Sequence, residues 1–342
     1  MTEWYGECEY CGAGLHEDTH DCTIQVPKIE ADLGAGTDTF QFPTTPHLSE
    51  GNENVYVIYM GGQSNLWGTG SLHSDIDATY DPTYKSSGST TPDNVFIWTK
   101  IATTTPHQVG GDVGEWTPLN TGFGFSNPHV YGGDDIGSEM QIAWRIQDRV
   151  GEDIPIYFIK MARGGARLIS SGGIDWSPQS SGELYDAWRE EYHTRGIRAL
   201  YDAGKFPHAL GFCWGQGAGD VKESAAAAAA YATNLQDLIN NFRTDIGISD
   251  LVISLQRETV NLTPGTWVQD DLDAVRAAQE GFAALDPWTG WFDSDDIEFA
   301  GPGPPITDEH FTGNGQVQFG DRFANVLLEY WRYKRPKLIP RP

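Results

Sequence analysis

Basic residues, and lysine above all, are scarce in this sequence. Its 342 residues include 22 Lys and Arg against 48 Asp and Glu, which gives a net charge of −26, and only 8 of the basic residues are Lys. A protein that binds nucleic acid needs a basic surface to neutralise phosphates, so nucleic acid is excluded as a partner. An acidic surface with little Lys is typical of proteins from salt-accumulating cells, where the Debye length shrinks to about 3 Å at 1 M salt. We therefore expect a halophilic environment, with an ordinary acidic secreted enzyme as the alternative.

Long apolar runs are absent as well. No stretch of 18 apolar residues occurs, and Met1 is followed by Thr-Glu-Trp rather than by a basic and then an apolar segment. We therefore expect no membrane insertion and no conventional signal peptide. Hydrophobic residues nevertheless make up 39% of the chain, which is enough to bury a sizeable core and excludes wholesale disorder.

Cysteine is rare and unevenly placed. Three of the four cysteines, Cys8, Cys11 and Cys22, lie within fifteen residues, and three thiols cannot all pair among themselves. With His20 they have the spacing of a small zinc knuckle, because thiolates and an imidazole suit tetrahedral zinc and the metal supplies folding energy that a short segment lacks. His16 is an alternative ligand to His20. Free thiols, or one disulfide with a spare thiol, are the alternative to a structural zinc.

The composition divides the chain into four parts. Residues 1–25 form the zinc-knuckle-like module, and residues 26–50, with scattered Pro, Thr and Gly and no periodicity, form a linker. Residues 51–335 are predicted to form one domain, which is followed by a C-terminal tail at residues 336–342.

The central domain alternates strands with helices. Continuous apolar runs predict strands that are buried on both faces, as in parallel sheets, at residues 55–60, 95–98, 155–160, 208–214 and 251–255. Helical spacing of apolar residues predicts helices at residues 139–146, 183–203, 222–242, 272–284 and 319–331. We therefore predict an α/β fold with a mostly parallel sheet covered by helices on both faces, a three-layer α/β/α sandwich.

A candidate nucleophile follows the first predicted strand. Ser64 lies in the sequence Gly-Gly-Gln-Ser-Asn of residues 61–65, where a serine at a strand end points into the crevice that binds ligands in open α/β sheets. The segment does not match the Gly-x-Ser-x-Gly elbow, because Leu66 stands where the second Gly is required. Taken alone, a serine in this setting is more often a turn residue than a nucleophile.

Three further features supply the other groups of a serine hydrolase. His310 is a candidate base for the serine, and Asp308, just before it, is a candidate to hold the imidazole tautomer. The side-chain N–H of Gln216 and a backbone N–H of the Gly-Gly-Ala turn at residues 164–166 are candidate donors to an oxyanion. Each feature alone is also compatible with an ordinary polar loop.

In the order Ser, Gly, Gln and Asp-His, these features resemble the SGNH (GDSL-like) hydrolases. The closer resemblance is to the branch of the sialate O-acetylesterases and carbohydrate esterase family 6. Its Gly-Gln-Ser-Asn block is matched by residues 62–65, its Gly-Gly-Thr-like turn by residues 164–166, its Trp-x-Gln-Gly-Glu-x-Asp turn by residues 214–220 and its Arg-x-x-Gln segment by residues 276–279. The resemblance spans residues 52–332 and implies a serine esterase that removes O-acetyl groups from carbohydrates.

The resemblance also implies a role for each matched residue. Ser64 is expected to attack the ester, with His310 as base and then acid and Asp308 orienting it, and no metal is expected in catalysis. The residues expected around the nucleophile are Ser64, Gly165 and Gln216 for the oxyanion, and Gln63 and Asn65 for the substrate.

Two positions depart from the family pattern. Ala218 stands where a Glu normally follows Gln-Gly, so that carboxylate is missing or supplied elsewhere. Thr307 stands three residues before His310, where the family has its Asp, whereas Asp308 lies only two before it. The alternatives for the orienting group are a backbone carbonyl, Asp293, Asp295 and Asp296.

A second function remains open at this stage. Domains of this branch also occur on viral and phage tail proteins, and residues 94–98 and 116–119 resemble those versions. The alternative to the enzyme is therefore a catalytically weak or inactive glycan-binding or structural subunit of a virus tail, in contact with other virion tail subunits. In both cases we expect an acetylated glycan or polysaccharide as partner and a location outside the cell or on a virion.

Overall fold

The structure is a computed structural model. It describes residues 53–72, 76, 94–100, 114–120, 136–151, 153–170, 174–180, 183–300 and 308–342. The predicted zinc ligands lie outside these residues: Cys8, Cys11, His16, His20 and Cys22. No helix in the described part of the chain is long and apolar enough to cross a membrane.

The described residues form strands that alternate with helices. The strands are β1 (Glu53–Gly62), β2 (Val95–Lys100), β3 (Gly114–Pro118), β4 (Ile156–Ala162), β5 (Lys205–Gly215), β6 (Ile253–Gln256), β7 (Thr289–Phe292) and β8 (Lys337–Leu338). The helices are α1 (Ser64–Trp67), α2 (Glu139–Val150), α3 (Leu184–Ala187), α4 (Arg195–Asp202), α5 (Ala218–Glu223), α6 (Ala225–Ile246), α7 (Gln269–Leu285) and α8 (Gly313–Trp331). A π-helical segment, Trp188–Thr194, joins α3 to α4.

One mostly parallel sheet carries the domain. Its strand order is β3-β2-β4-β1-β5-β6-β7, with β3 antiparallel to β2 and β8 antiparallel to β5. The central strand β1 lies between β4 and β5, and its last residue, Gly62, is in register with Ala162 and Gly215. Because these three strands end together, the turns that follow them meet at one edge of the sheet.

Helices cover both faces of the sheet, which confirms the predicted α/β class. Val57 and Tyr59 of β1 belong to a core that includes side chains of α4, α6 and α7, whereas Ile58 and Met60 belong to a second core with α2 and α8. All four side chains are fully buried, and burial of such a side chain contributes about 1.5–3 kcal/mol. This packing fixes β1 rigidly beneath the turn that carries Ser64.

Some elements differ from the sequence prediction. The helix predicted at residues 222–242 is divided at Ser224, whose extended backbone interrupts it and whose hydroxyl accepts from the N–H of Ala227 at 3.2 Å to cap α6. The last helix begins earlier than predicted, because Thr312 caps it by accepting from the N–H of Gly315 at 3.0 Å. The strands β3, β7 and β8, of five, four and two residues, were not predicted.

Candidate active site

Ser64 begins α1 directly after β1 and is half-buried. Its approach depends on Gly62, which has φ of 157°. A Cβ built on Gly62 would lie 2.1 Å from the carbonyl oxygen of Gly215, so only glycine allows β1 and β5 to approach this closely. The N–H of Gln63 then donates to that same carbonyl at 2.9 Å, and this bond sets where α1 begins.

The glycine turn after β4 lies beside the serine. A Cβ built on Gly164 would be 3.8 Å from the Cβ of Ser64. Gly165 is left-handed, with φ of 70°, and is exposed. The backbone N–H groups of Ser64 and Gly165 have no hydrogen-bond acceptor among the residues that the structure describes. Within the described part of the chain, two N–H groups without an acceptor therefore lie at Ser64 and on the turn beside it.

His310 is paired with Asp308, as the orienting role requires. The ring Nδ1 lies 2.7 Å from Asp308 Oδ1, which also accepts from the backbone N–H of His310 at 3.0 Å. Because a carboxylate can only accept, Nδ1 carries a proton and Nε2 of the neutral ring is left to act as a base. The imidazole is largely buried, with 25% of its side chain exposed.

The alternative carboxylates are engaged elsewhere. Each of the three bonds an arginine: Asp293 with Arg257, Asp295 with Arg276 and Asp296 with Arg322. The described geometry therefore leaves Asp308 as the candidate that contacts the imidazole.

Asn65 joins the serine turn to the histidine segment. Its Nδ2 donates to the carbonyl of Glu309 at 3.2 Å, and its Oδ1 accepts from the N–H of Phe311 at 3.1 Å. The side chain is buried and both of its polar atoms are used. Asn65 thus holds the backbone on either side of His310, and its predicted role in substrate binding stays a prediction.

Gln63 has a comparable role at the turn after β5. Its Oε1 accepts from the N–H groups of Gly217 at 3.3 Å and Gly219 at 3.1 Å, and the side chain is buried. The carboxamide oxygen of Gln63 thus faces the protein backbone, and its predicted role in substrate binding stays a prediction.

Gln216 is also turned inward. Its Nε2 donates to the carbonyl of Ala166 at 3.1 Å and to Asp220 Oδ2 at 2.7 Å, and the side chain is fully buried. Both N–H bonds of the carboxamide are therefore used, and none is left for an oxyanion. We correct the predicted donor role of Gln216 to one of fixing the turns after β4 and β5.

Asp220 strengthens this connection. Its carboxylate also accepts from the N–H groups of Leu168 at 2.8 Å and Ile169 at 3.0 Å. Burial raises the pKa of Asp220, and these hydrogen bonds oppose the rise by stabilising the ionised form. A single carboxylate thus joins the two turns that flank the serine.

Glu258 is the polar residue that sequence reasoning missed. It follows β6, 40 residues after Ala218 in the sequence, and its Oε2 accepts from the N–H of Ala218 at 2.6 Å. Its Oε1 accepts from the N–H of Thr259 at 3.1 Å, and only 1% of the residue is exposed. The available signal was a charged residue just beyond the end of a buried strand.

A charged pair borders His310. Lys222 forms an ion pair with Glu309, whose other oxygen accepts from the N–H of Thr263 at 2.9 Å. Burial raises the pKa of Glu309, but the hydrogen bonds from Lys222 and Thr263 outweigh it, so the pKa lies below its ordinary value. Glu309 is therefore a carboxylate at neutral pH.

A second ion pair lies beneath α1. Lys160 Nζ is 2.6 Å from Glu139 Oε2 and 3.4 Å from the carbonyl of Trp67, the last residue of that helix. Both charged side chains are buried, and burial lowers the pKa of Lys160 and raises that of Glu139. In the described part of the chain, no group of three His, Cys, Asp or Glu side chains is placed to hold a metal ion.

Comparison with solved structures identifies proteins that share this fold. Among solved structures, a protein of Arabidopsis thaliana is 18% identical, with a TM-score of 0.55 over 80% of this chain and 98% of its own. NanS is 16% identical, with a TM-score of 0.55 over 83% of this chain and 99% of its own. XAC1771, a carbohydrate acetylesterase of Xanthomonas citri, is 15% identical, with a TM-score of 0.51 over 79% of this chain and 55% of its own. These similarities establish a shared fold.

The family assignment rests on a match of the sequence to a family model. No curated protein sequence matches the chain. The model of the family described as carbohydrate esterase, sialic acid-specific acetylesterase, matches residues 52–329, which is most of the 342 residues. The chain therefore belongs to this family of sialic acid-specific acetylesterases and is a carbohydrate esterase.

Proposed function

We propose that the chain removes O-acetyl groups from carbohydrates, with Ser64 as nucleophile, His310 as base and Asp308 as its orienting carboxylate. One observation carries the proposal: His310 is paired with Asp308 at 2.7 Å, on a segment that Asn65, the residue after Ser64, holds from both sides. Family membership supports the acetyl ester as the bond that is cleaved.

The reaction consists of two acyl transfers. Ser64 Oγ attacks the carbonyl carbon of the acetyl ester while His310 Nε2 takes the hydroxyl proton. The tetrahedral intermediate then expels the sugar oxygen, which receives that proton and leaves as an alcohol. Water attacks the acetyl-enzyme in the second half and gives a proton to His310. Acetic acid then leaves as the imidazolium returns this proton to Ser64 Oγ, and it gives its own proton to the solvent to become acetate.

The oxyanion of each intermediate needs donors that are already in place. We assign this role to the backbone N–H groups of Ser64 and Gly165, which have no acceptor within the described residues. Gln216 supports the same site by fixing the turns on both sides of it. In this scheme no step requires a metal ion.

Hydrolysis of a chromogenic acetate ester tests these assignments. We expect Ser64→Ala and His310→Ala each to lower kcat by roughly 10⁴-fold or more, because a nucleophile and its base act as a unit. Ser170→Ala and His208→Gln are matched controls, since Ser170 is exposed and His208 lies in the first half of β5, away from the site. Wild-type rates in both active-site variants would contradict the assignment.

The sugar is identified by a second measurement. We expect acetate release from O-acetylated sialic acid, with acetylated xylan as the neutral comparison. Binding on a glycan array without any release of acetate would favour the alternative, a glycan-binding or structural subunit of a virus tail. The location outside the cell or on a virion stays a prediction.

A further inference from the structure

The turn of residues 216–219 is held by side-chain oxygens from two directions. Gln63 Oε1 takes the N–H groups of Gly217 and Gly219, and Glu258 Oε2 takes the N–H of Ala218 between them. Three consecutive backbone amides are thus bound by Gln63, which adjoins Ser64, and by Glu258, which follows β6. The position of the turn is therefore transmitted to Ser64 through Gln63.

The contact of Glu258 with this turn is tight. A Cβ built on Gly217 would lie 2.7 Å from Glu258 Oε2 and 3.2 Å from Gln279 Nε2. Gln279 in turn accepts from the N–H of Glu258 at 2.8 Å and donates to the carbonyl of Gln216 at 3.0 Å. A carboxylate therefore reaches the amide of Ala218 from the next strand, at the position where the chain itself has no acidic side chain.

We propose that Glu258, in its ionised form, is a positioning residue that holds the 216–219 turn and, through Gln63, the Ser64 nucleophile, so that protonation of Glu258 slows the esterase. The inference rests on the proposed role of Ser64. Glu258 is buried and acts through its neighbours rather than on the substrate.

Protonation would change the bonding in a definite way. The carboxylate accepts one N–H on each oxygen, from Ala218 and from Thr259. A protonated carboxyl group presents an O–H donor on one of them, so a donor then faces a donor and one of the two bonds is lost. A displacement of about 1 Å in a catalytic arrangement can cost on the order of 100-fold in rate.

The surroundings of Glu258 bring the protonation of its carboxylate near neutral pH. Burial raises its pKa from 4.5 to about 7, while the N–H groups of Ala218 and Thr259 oppose the rise. The charged and titratable groups that face it come from the three helices and the histidine segment packed around it: Lys222 of α5, Tyr231 of α6, Arg276 of α7, and Glu309. Glu309 raises the pKa further and Lys222 lowers it.

The test compares Glu258→Gln with Glu280→Gln, a matched change on α7 at a carboxylate that is 41% exposed and pairs with Arg257. Steady-state hydrolysis of the chromogenic acetate ester is followed from pH 5 to 9. We expect Glu258→Gln to lower kcat at pH 8.5 by about tenfold, the equivalent of one lost hydrogen bond, with KM within about twofold of wild type. Glu280→Gln should behave as wild type.

The acid limb of the pH profile supplies the decisive readout. Protonated Glu258 offers one acceptor oxygen and one donor, as Gln does at the same position. The wild-type kcat should therefore exceed that of Glu258→Gln about tenfold at pH 8.5, and this ratio should fall toward one as pH drops through about 7. A ratio that does not change with pH, or a variant whose kcat equals that of the wild type at pH 8.5, would overturn the inference.

Two further variants separate the possible failures. If Glu258→Gln does not fold, Glu258→Asp keeps the charge but is too short to reach Ala218, and it should lower kcat at pH 8.5; a wild-type kcat would overturn the inference. An inactive Ser64→Ala with a wild-type Glu258→Gln would reject only the role of Glu258. An active Ser64→Ala would reject the proposed function itself.

Discussion

The side-chain oxygen of Asn65 accepts a hydrogen bond from the backbone N–H of Phe311 at 3.1 Å, across 246 positions of sequence. The same carboxamide donates to the carbonyl of Glu309. The residue next to the nucleophile therefore holds both neighbours of His310, so that a shift of the serine turn also shifts the histidine.

Removal of the Asn65 side chain should separate these two groups. We expect Asn65→Ala to lower kcat by about 10- to 100-fold, with little change in KM, and to lower the free energy of unfolding by about 1–3 kcal/mol because the N–H of Phe311 is left without its acceptor. Steady-state kinetics and urea unfolding measure the two effects. Asn240→Ala, at an exposed position of α6, is the control. An unchanged kcat would show that the histidine segment does not depend on Asn65.

The carboxylate of Asp308 should control the tautomer of His310. We expect Asp308→Asn to lower kcat by about 10²- to 10⁴-fold, because the amide no longer favours the ring with its proton on Nδ1. Asp296→Asn is the matched control, since that carboxylate pairs with Arg322. Equal losses in the two variants would assign the effect to general destabilisation rather than to His310.

The ionised carboxylate of Glu258 should lower the free energy of unfolding, although the same form supports kcat. Its folded-state pKa, about 7, lies above the ordinary value of 4.5, so the folded chain binds the extra proton and its contribution to stability is lost as pH rises from about 4.5 through about 7. The shift corresponds to roughly 3 kcal/mol. Gln does not titrate, so Glu258→Gln should not lose stability in this pH range. The difference in unfolding free energy, variant minus wild type, should therefore rise between pH 5 and pH 8. A pH-independent difference in urea unfolding would contradict the prediction.

The buried pair of Lys160 and Glu139 should respond differently to single and double substitution. Lys160→Met or Glu139→Leu alone breaks the pair among buried groups, and we expect each to cost about 3–5 kcal/mol of unfolding free energy. The double variant Lys160→Met with Glu139→Leu should be closer to wild type, because no buried charge is left unpaired. Urea unfolding measures all of them, and additive losses would contradict the expectation.

The zinc knuckle stays a prediction, and elemental analysis tests it. We expect one zinc ion per chain, lost when Cys8 or Cys22 is changed to Ser. Chelation should leave ester hydrolysis nearly intact, because none of the proposed catalytic groups needs a metal. Absence of zinc from the native protein would contradict the module, and loss of turnover on chelation would show that it supports the active site.

The sequence predicted where the site residues lie better than it predicted what each of them does. Ser64, Gly165 and Gln216 each follow a predicted strand, and the carboxyl ends of parallel strands meet at one edge, so their proximity could be foreseen. The direction of a polar side chain at such an end could not, because a buried carboxamide pairs as well with a neighbouring turn as with a ligand. Glu258 escaped notice since its partner Ala218 contributes only a backbone N–H, which leaves no trace in a sequence pattern.

The inward orientation of Gln63, Asn65 and Gln216 separates the chemistry from the choice of sugar. The hydrogen bonds of the Gln63 and Asn65 oxygens and of the Gln216 amide group end on the backbone of the domain and on Asp220, so these groups form a framework that is indifferent to the group beyond the ester. Selectivity is then left to residues at the rim of the crevice. In a directed-evolution experiment, substrate preference should therefore change through rim substitutions while every motif position remains untouched.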